Sequence, residues 1–149
     1  MIHVTCGITG SGKTALSKQL AIEYNATLYC YDVFPRQNWR EDVHENIYKE
    51  IIKTLYSGEI VVYDDLNLSK LNRLSLLNAI SKTNCKKILH VMKTPPNICL
   101  ERMCLRDKRY IPKAVIDYYC ERYEEPTLDE GWDEIIYHEY IEEVISHDN

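Results

Sequence analysis

The sequence predicts a three-layer α/β sandwich, a five-stranded parallel sheet with helices on both faces. Three observations predict it. Apolar runs of strand length alternate along the chain with longer runs whose apolar residues recur at helical spacing. A glycine-rich segment, G-I-T-G-S-G-K-T from Gly7 to Thr14, joins the first strand run to the first helical one. Residues that cap or stop helices, among them Gly58, Ser69, Pro95 and Pro112, stand at the ends of the helical runs. The 149 residues suffice for one such domain and leave no length for a second catalytic unit beside it.

The elements follow in order. Ile2 to Cys6 reads as a buried strand, and Lys13 to Tyr24 as a helix carrying Leu16, Leu20, Ala21 and Tyr24, with Asn25 as its stop. Ala26 to Tyr31 is the second strand. Glu41 to Ser57 sets Val43, Ile47, Ile51, Ile52 and Leu55 on one face and ends at Gly58, the residue that most easily takes a left-handed C′ conformation. Glu59 to Tyr63 is the third strand. Ser69 caps a helix through Leu71, Leu74, Leu77 and Ile80, and Lys87 to Met92 is the fourth strand. Thr94 is expected to cap a helix with Pro95 at its first position, where a missing N–H costs nothing; Pro112 starts another, running to about Tyr123. Trp132 to His138 is the fifth strand, followed by an acidic tail over about 139–149.

Gly7 to Thr14 match G-x-x-x-x-G-K-[ST] in a strand–loop–helix context, which predicts a nucleotide phosphate loop and hence a P-loop NTPase fold of the kinase type. Backbone N–H groups of Gly7, Thr9, Gly10, Ser11 and Gly12 would face the phosphates, with the positive end of the following helix at the same point. Lys13 would reach the β- and γ-phosphates of ATP or GTP and Thr14 would hold Mg²⁺. In a parallel sheet, ligands bind at the carboxyl ends of the strands. Asp32 closes the second strand and Asp64 and Asp65 the third. A carboxylate at the third strand suits the metal, with either Asp64 or Asp65 available; Asp32 suits a base for a hydroxyl acceptor.

Beyond the phosphate loop and Asp32, three runs carry a resemblance: D-D-L-N-L-S-K-L-N-R (Asp64 to Arg73), R-M-C-L-R-D-K-R-Y-I-P (Arg102 to Pro112) and Y-E-E-P-T-L-D-E-G-W-D-E-I (Tyr123 to Ile135). Together they resemble the polynucleotide 5′-hydroxyl kinase group of P-loop kinases, and the last run is closest to the kinase domain of animal polynucleotide kinase/phosphatases. The resemblance implies Asp32 as general base toward a 5′-hydroxyl. It implies a helical lid at about 102–113, in which Arg106 neutralises the transferring phosphoryl group and Arg102 adds a second arginine toward ATP. Asp65 and Asn67 match a D-x-N element that orients the site, and Arg73 an arginine that either meets the acceptor or buttresses a helix. The chain departs from the family after Asp32: Val33 stands where a second polar residue is usual, and Pro35 replaces an acceptor-binding arginine, with Arg36 one step later.

Charge bears on the acceptor independently. The net charge is −5, which opposes bulk attraction to a polyanion. Lys70 to Lys113, however, carry eleven Lys/Arg against Glu101 and Asp107, a local net of +9, whereas Ala114 to Asn149 carry twelve acids against Arg122. That pattern suits a short nucleic-acid end or mononucleotide better than a long duplex. Trp39, in the loop after Asp32, could stack on an acceptor base. Most of the twelve tyrosines read as packing residues, and His44, His90 and His138 show no metal spacing. Six cysteines without a C-x-x-C pair read as reduced thiols of a cytoplasmic enzyme. With the loop at residue 7 no presequence is expected, and no apolar run approaches the ~18 residues of a membrane span.

The expected function is an ATP- and Mg²⁺-dependent kinase acting on a hydroxyl, foremost a 5′-hydroxyl of DNA or RNA. Two alternatives stand beside it, a small-molecule kinase for a nucleoside, sugar or antibiotic, and a non-catalytic ATP-binding regulator.

Overall fold

The computed structural model of the chain describes residues 1–142. Strands β1 (Ile2–Cys6), β2 (Thr27–Cys30), β3 (Val61–Asp64), β4 (Lys87–Lys93) and β5 (Glu134–Glu139) alternate with helices α1 (Lys13–Glu23), α2 (His44–Tyr56), α3 (Lys70–Ala79), α4 (Pro96–Asp107) and α5 (Lys113–Arg122). The sheet order is β2-β3-β1-β4-β5 and every neighbouring pair is parallel. β1 and β3 are buried along their whole length, and β4 at its four middle residues, so these strands read as apolar runs without strict alternation. The edge strands β2 and β5 are only partly covered.

One face of the sheet packs on α2 and α3. Val43, just before α2, and Ile47 and Ile51 along it are fully buried against Ile2, Val4, Val61 and Leu76, and each contributes about 1.5–3 kcal/mol of burial. Gly58 follows α2 at φ 87°, the left-handed stop expected of it. A second cluster, Ile8, Leu68, Cys99, Met103, Ile111 and Ile116, lies under α4 and α5 and ties them to the loop after β1. On the opposite face α1 contributes buried Ser17 and Leu20, and Tyr24 just beyond its end lies against the buried His3 ring.

Several boundaries differ from expectation for local reasons. Pro96, not Pro95, holds the first turn of α4; Thr94 caps nothing and its Oγ1 donates to Ser11 O at 2.8 Å. Pro112 is the residue before α5. α2 starts at His44, three residues after Glu41, because the preceding segment is folded around Arg36. α3 keeps its Ser69 cap, the hydroxyl accepting from Asn72 N at 3.1 Å, but turns Arg73, Leu76 and Leu77 inward and leaves Leu71 exposed. Asp32 lies in a 3-10 turn, Tyr31–Val33, just past β2. Glu139 still belongs to β5, and residues 143–149 of the expected tail lie outside the described residues. All six cysteines are unpaired, and among the described residues no helix is long and apolar enough to cross a membrane.

Candidate active site

The loop after β1 is a backbone cradle at the amino end of α1. Gly12 precedes α1 at φ 98°, and no side chain caps the helix, which leaves its first N–H groups to an anion. Gly10 has φ 84°, and a Cβ there would stand 2.5 Å from Cys99 O, so the close approach of α4 requires glycine. Thr94 holds Ser11 O from one side, and Arg102 Nη1 donates to Gly10 O at 3.2 Å from the other. Lys13 Nζ donates to Ile8 O at 3.3 Å, folding back over the loop it belongs to.

At the end of β3 the two adjacent aspartates part company. Asp64 is buried; its Oδ2 accepts from Thr14 Oγ1 at 3.1 Å and its Oδ1 from Thr5 Oγ1 at 3.2 Å. Cys30 Sγ donates to Asp64 Oδ2 at 3.6 Å, and burial together with the aspartate's charge pushes that thiol's pKa up. Asp65 faces the other way, accepting from Tyr63 OH at 2.7 Å and from its neighbour Leu66 N at 2.8 Å. Of the two, Asp64 is therefore the carboxylate beside Thr14. A hydroxyl and a carboxylate are hard oxygen donors, and Mg²⁺ takes few protein ligands, completing its shell with water and phosphate oxygens. Thr14 and Asp64 thus fit Mg²⁺, and Asp65 does not join them.

A cavity of about 210 Å³ opens over this point, and Lys13, Thr14, Asp32, Arg102 and Arg106 all line it. Arg106, in the last turn of α4, donates from Nε to Asp107 Oδ1 at 3.0 Å. A larger cavity of about 650 Å³ adjoins the loop on its other side, lined by Ser11, Gly12, Thr94, Arg102, His138 and Tyr140 among others. Arg102 borders both, its guanidinium 5.7 Å from the Tyr140 ring centre.

The segment from Tyr31 to Val43 contributes Asp32 to the first cavity, and its other residues are largely engaged with one another. Arg36 donates to the carbonyls of Phe34 (3.3 Å), Glu41 (3.5 Å) and Tyr31, and lies 4.8 Å from the Tyr31 ring centre. His44 Nδ1 meets Asp42 Oδ1 at 2.6 Å and Nε2 meets Asp65 Oδ2 at 2.9 Å, while the ring stacks on Tyr31 at 4.2 Å. Ionised carboxylates only accept, so the two contacts are both satisfied when His44 carries a proton on each ring nitrogen. The bond to Asp65, opposed by burial and reinforced by Asp42, raises its pKa above the ordinary imidazole value. Trp39 is 78% exposed, with the Arg40 guanidinium 4.6 Å above its ring.

A family model described as AAA domain matches residues 2–126. The chain belongs to the AAA domain family. No curated protein sequence matches it. Among solved structures this AAA domain is similar to a gluconokinase from Sinorhizobium meliloti, at 20% identity over 92% of this chain and 81% of that one, TM-score 0.65. It is similar to a sugar kinase from Janibacter sp., at 16% identity over 93% and 84%, TM-score 0.72. It is also similar to a fungal RNA kinase, at 16% identity over 99% of this chain and 40% of that one, TM-score 0.73. The all-parallel sheet and its phosphate loop are the P-loop kinase fold.

Within the AAA domain, Thr9, Gly10, Gly12, Lys13, Thr14, Asp32, Arg102 and Arg106 line one cavity. Gly7 and Ser11 do not, their N–H groups donating to Leu66 O at 3.0 Å and Ile8 O at 3.2 Å, against the expectation that they face the phosphates. The residues expected at the acceptor scatter. Asn67 is buried, at φ 48°, with Nδ2 donating to Thr5 O at 2.9 Å. Arg73 is fully buried, paired to Glu130 at 2.8 and 3.0 Å, and Nη1 donates to the carbonyls of Asn67 and Leu68. Both hold the turn between β3 and α3, so Asn67 stands in the orienting position and Arg73 in the buttressing one of its two alternatives. Arg36 braces its own loop and Asp65 anchors His44. His44 itself carried no readable sign: one histidine near a helix start becomes a site element only when β3 brings Asp65 to it.

Proposed function

We propose that this AAA domain transfers the γ-phosphoryl group of ATP to a hydroxyl, with the 5′-hydroxyl end of DNA or RNA as the favoured acceptor. The observation that carries the reading is the cavity on which a lysine, a threonine hydroxyl, an exposed carboxylate and two arginines converge. A phosphate sensor has no use for Asp32 and Arg106 facing the loop, which disfavours a purely regulatory ATP-binding protein. GTP is the alternative donor.

In this mechanism the acceptor oxygen attacks the γ-phosphorus in line while the bridging oxygen leaves with the electrons of the broken P–O bond. Asp32 takes the hydroxyl proton, and Lys13 and Arg106 face the charge that spreads over the transferring group. Thr14 and Asp64 would hold Mg²⁺, which when bound neutralises charge on the β- and γ-phosphate oxygens. Arg102 closes the nucleotide side from α4. Six unpaired thiols suit a reducing cytoplasm.

The polynucleotide acceptor is supported by the sequence resemblance and the basic run from Lys70 to Lys113. A small hydroxyl acceptor is the second reading. It is favoured by Arg36, whose donors are engaged with loop carbonyls and not left for a phosphate, and by the similarity to a gluconokinase and a sugar kinase over most of their lengths. Transfer of labelled γ-phosphate to 5′-hydroxyl oligonucleotides, nucleosides and sugars separates the two. Asp32→Ala should abolish transfer, by about 10²–10⁴-fold, with ATP binding retained. Near-normal turnover in that variant removes Asp32 as the base.

A further inference from the structure

Three histidines that are distant in sequence form one hydrogen-bonded row across the sheet. His3 on β1 bonds through Nδ1 to His90 Nε2 on β4 at 2.9 Å, and His90 Nδ1 bonds to His138 Nε2 on β5, also at 2.9 Å. One end of the row is closed: His3 is 1% exposed and its Nε2 has no hydrogen-bond partner among the described residues. The other end is open, because His138 lines the 650 Å³ cavity beside Ser11 and Gly12 of the phosphate loop. With Nε2 committed to His90, the ring nitrogen left to that cavity is Nδ1.

A neutral imidazole has one donor and one acceptor nitrogen, so two bonds in series must run in the same direction. If the protons run from His138 toward His3, each ring is protonated at Nε2 and an N–H is stranded in the core at His3. If they run the other way, each ring is protonated at Nδ1, a bare lone pair is left at His3, and His138 presents Nδ1–H to the cavity. Stranded buried N–H groups are the rarer defect in folded proteins, so the second direction is favoured. The rings are also pressed toward neutrality: burial lowers all three pKa values, that of His90 to about 3 with the other two histidines adding to the effect.

We propose that His3, His90 and His138 form a tautomer relay that makes His138 Nδ1–H a hydrogen-bond donor to an acceptor atom of the donor's nucleobase. The inference rests on the nucleotide reading given above. The cavity borders the phosphate loop at Ser11 and Gly12 and is not lined by Asp32, and the Arg102–Tyr140 pair offers flat surfaces beside the same space. His138 then bears on base choice, and His90 and His3 act through it as positioning residues. Free imidazole prefers the Nε2–H form, so the buried end of the row sets a tautomer that solvent would not.

The test begins with the unmodified chain. Long-range ¹⁵N–¹H spectra of ¹⁵N-histidine protein without nucleotide should show His138 and His90 protonated at Nδ1. An Nε2–H tautomer or an imidazolium at His138 overturns the relay whatever the protein binds. Affinities for Mg-ATP, Mg-GTP and Mg-tripolyphosphate are then compared. His138→Ala should weaken ATP about fivefold, the worth of one neutral hydrogen bond, and leave tripolyphosphate unchanged. His138→Asn, which can place an amide N–H near the Nδ1 position, should restore most of the loss. His3→Phe should move His138 toward Nε2–H and weaken ATP without touching tripolyphosphate. Equal losses for ATP and tripolyphosphate in His138→Ala overturn the base contact while leaving phosphate binding intact. Failure of the unmodified chain to bind any of the three overturns the nucleotide reading itself.

Discussion

The donor half of the proposed site and its proposed acceptor half are held together by different means. The donor half is one contiguous segment, residues 7–14, shaped by backbone: positive φ at Gly10 and Gly12, an uncapped α1, and side-chain bonds from Thr94 and Arg102 to its carbonyls. The acceptor half, Tyr31 to Val43, has little regular structure and is held by side chains, Arg36 from within and His44 and Asp65 from α2 and the end of β3. Backbone geometry tolerates change in the residues around it, while a side-chain brace is lost with one substitution. A scaffold of this kind can therefore keep its donor loop while the neighbouring segment varies.

The largest expected effect comes from breaking the donor half at Lys13. Lys13→Ala should lower turnover by about 10²–10³-fold, read as single-turnover transfer at saturating ATP, because it removes charge aimed at the transferring group. The fold should stand, since among the described residues the Lys13 side chain makes one hydrogen bond, to Ile8 O. A variant with turnover near normal would mean that Arg102 and Arg106 suffice.

Cutting the Arg73–Glu130 pair separates scaffold from site. Both side chains are fully buried, and burial opposes ionisation of Glu130, but its bonds from Arg73 and Trp132 outweigh that and hold the carboxyl below its usual range. Glu130→Ala leaves the buried Arg73 without its counter-charge, its bonds to the carbonyls of Asn67 and Leu68 remaining, at a cost of about 3–5 kcal/mol in urea unfolding. Activity per folded molecule should hardly change. If turnover falls while stability stays, Arg73 belongs to the acceptor half after all.

His44→Gln probes the brace directly. Glutamine keeps one polar arm but cannot bridge Asp42 and Asp65 or stack on Tyr31 as the imidazole does. Acceptor KM should rise about tenfold with nucleotide affinity unchanged, a split that general destabilisation would not produce. Equal weakening of both ligands would erase the distinction between the two halves.

The same asymmetry governs what could be read in advance. The donor half was legible because its chemistry is local: four motif residues, a strand before and a helix after. Sheet, helix order and most boundaries were legible from periodicity and from Gly58 and Ser69. Arg73 was legible as a matching residue but not as a buried one, because its partner Glu130 is far along the chain and helical spacing around Leu71 and Leu74 pointed to a different face. Asp64 and Asp65 could not be told apart before the structure, since which one meets Thr14 depends on how the chain turns after β3. His44, His3, His90 and His138 acquire meaning only through contacts across strands.

The smallest effect distinguishes the acceptor brace from the histidine row by the sign of its pH dependence. His44 has a folded pKa raised above 6.5, chiefly by its bond to Asp65, so its stabilisation is fully present below pH 6.5 and is lost as pH rises through the raised value. The row behaves oppositely. His3, His90 and His138 have folded pKa values below 6.5, so they cost nothing above that pH and lose stability as pH falls from 6.5 toward about 3, the value for His90. Urea midpoints measured across this range should therefore peak near neutrality. In His44→Gln the decline on the alkaline side should flatten while the acid decline stays; acceptor KM in the unmodified chain should climb over the alkaline limb, with tripolyphosphate affinity steady. An alkaline limb unchanged by His44→Gln would place the titrating group elsewhere and leave the acceptor loop braced by Arg36 alone.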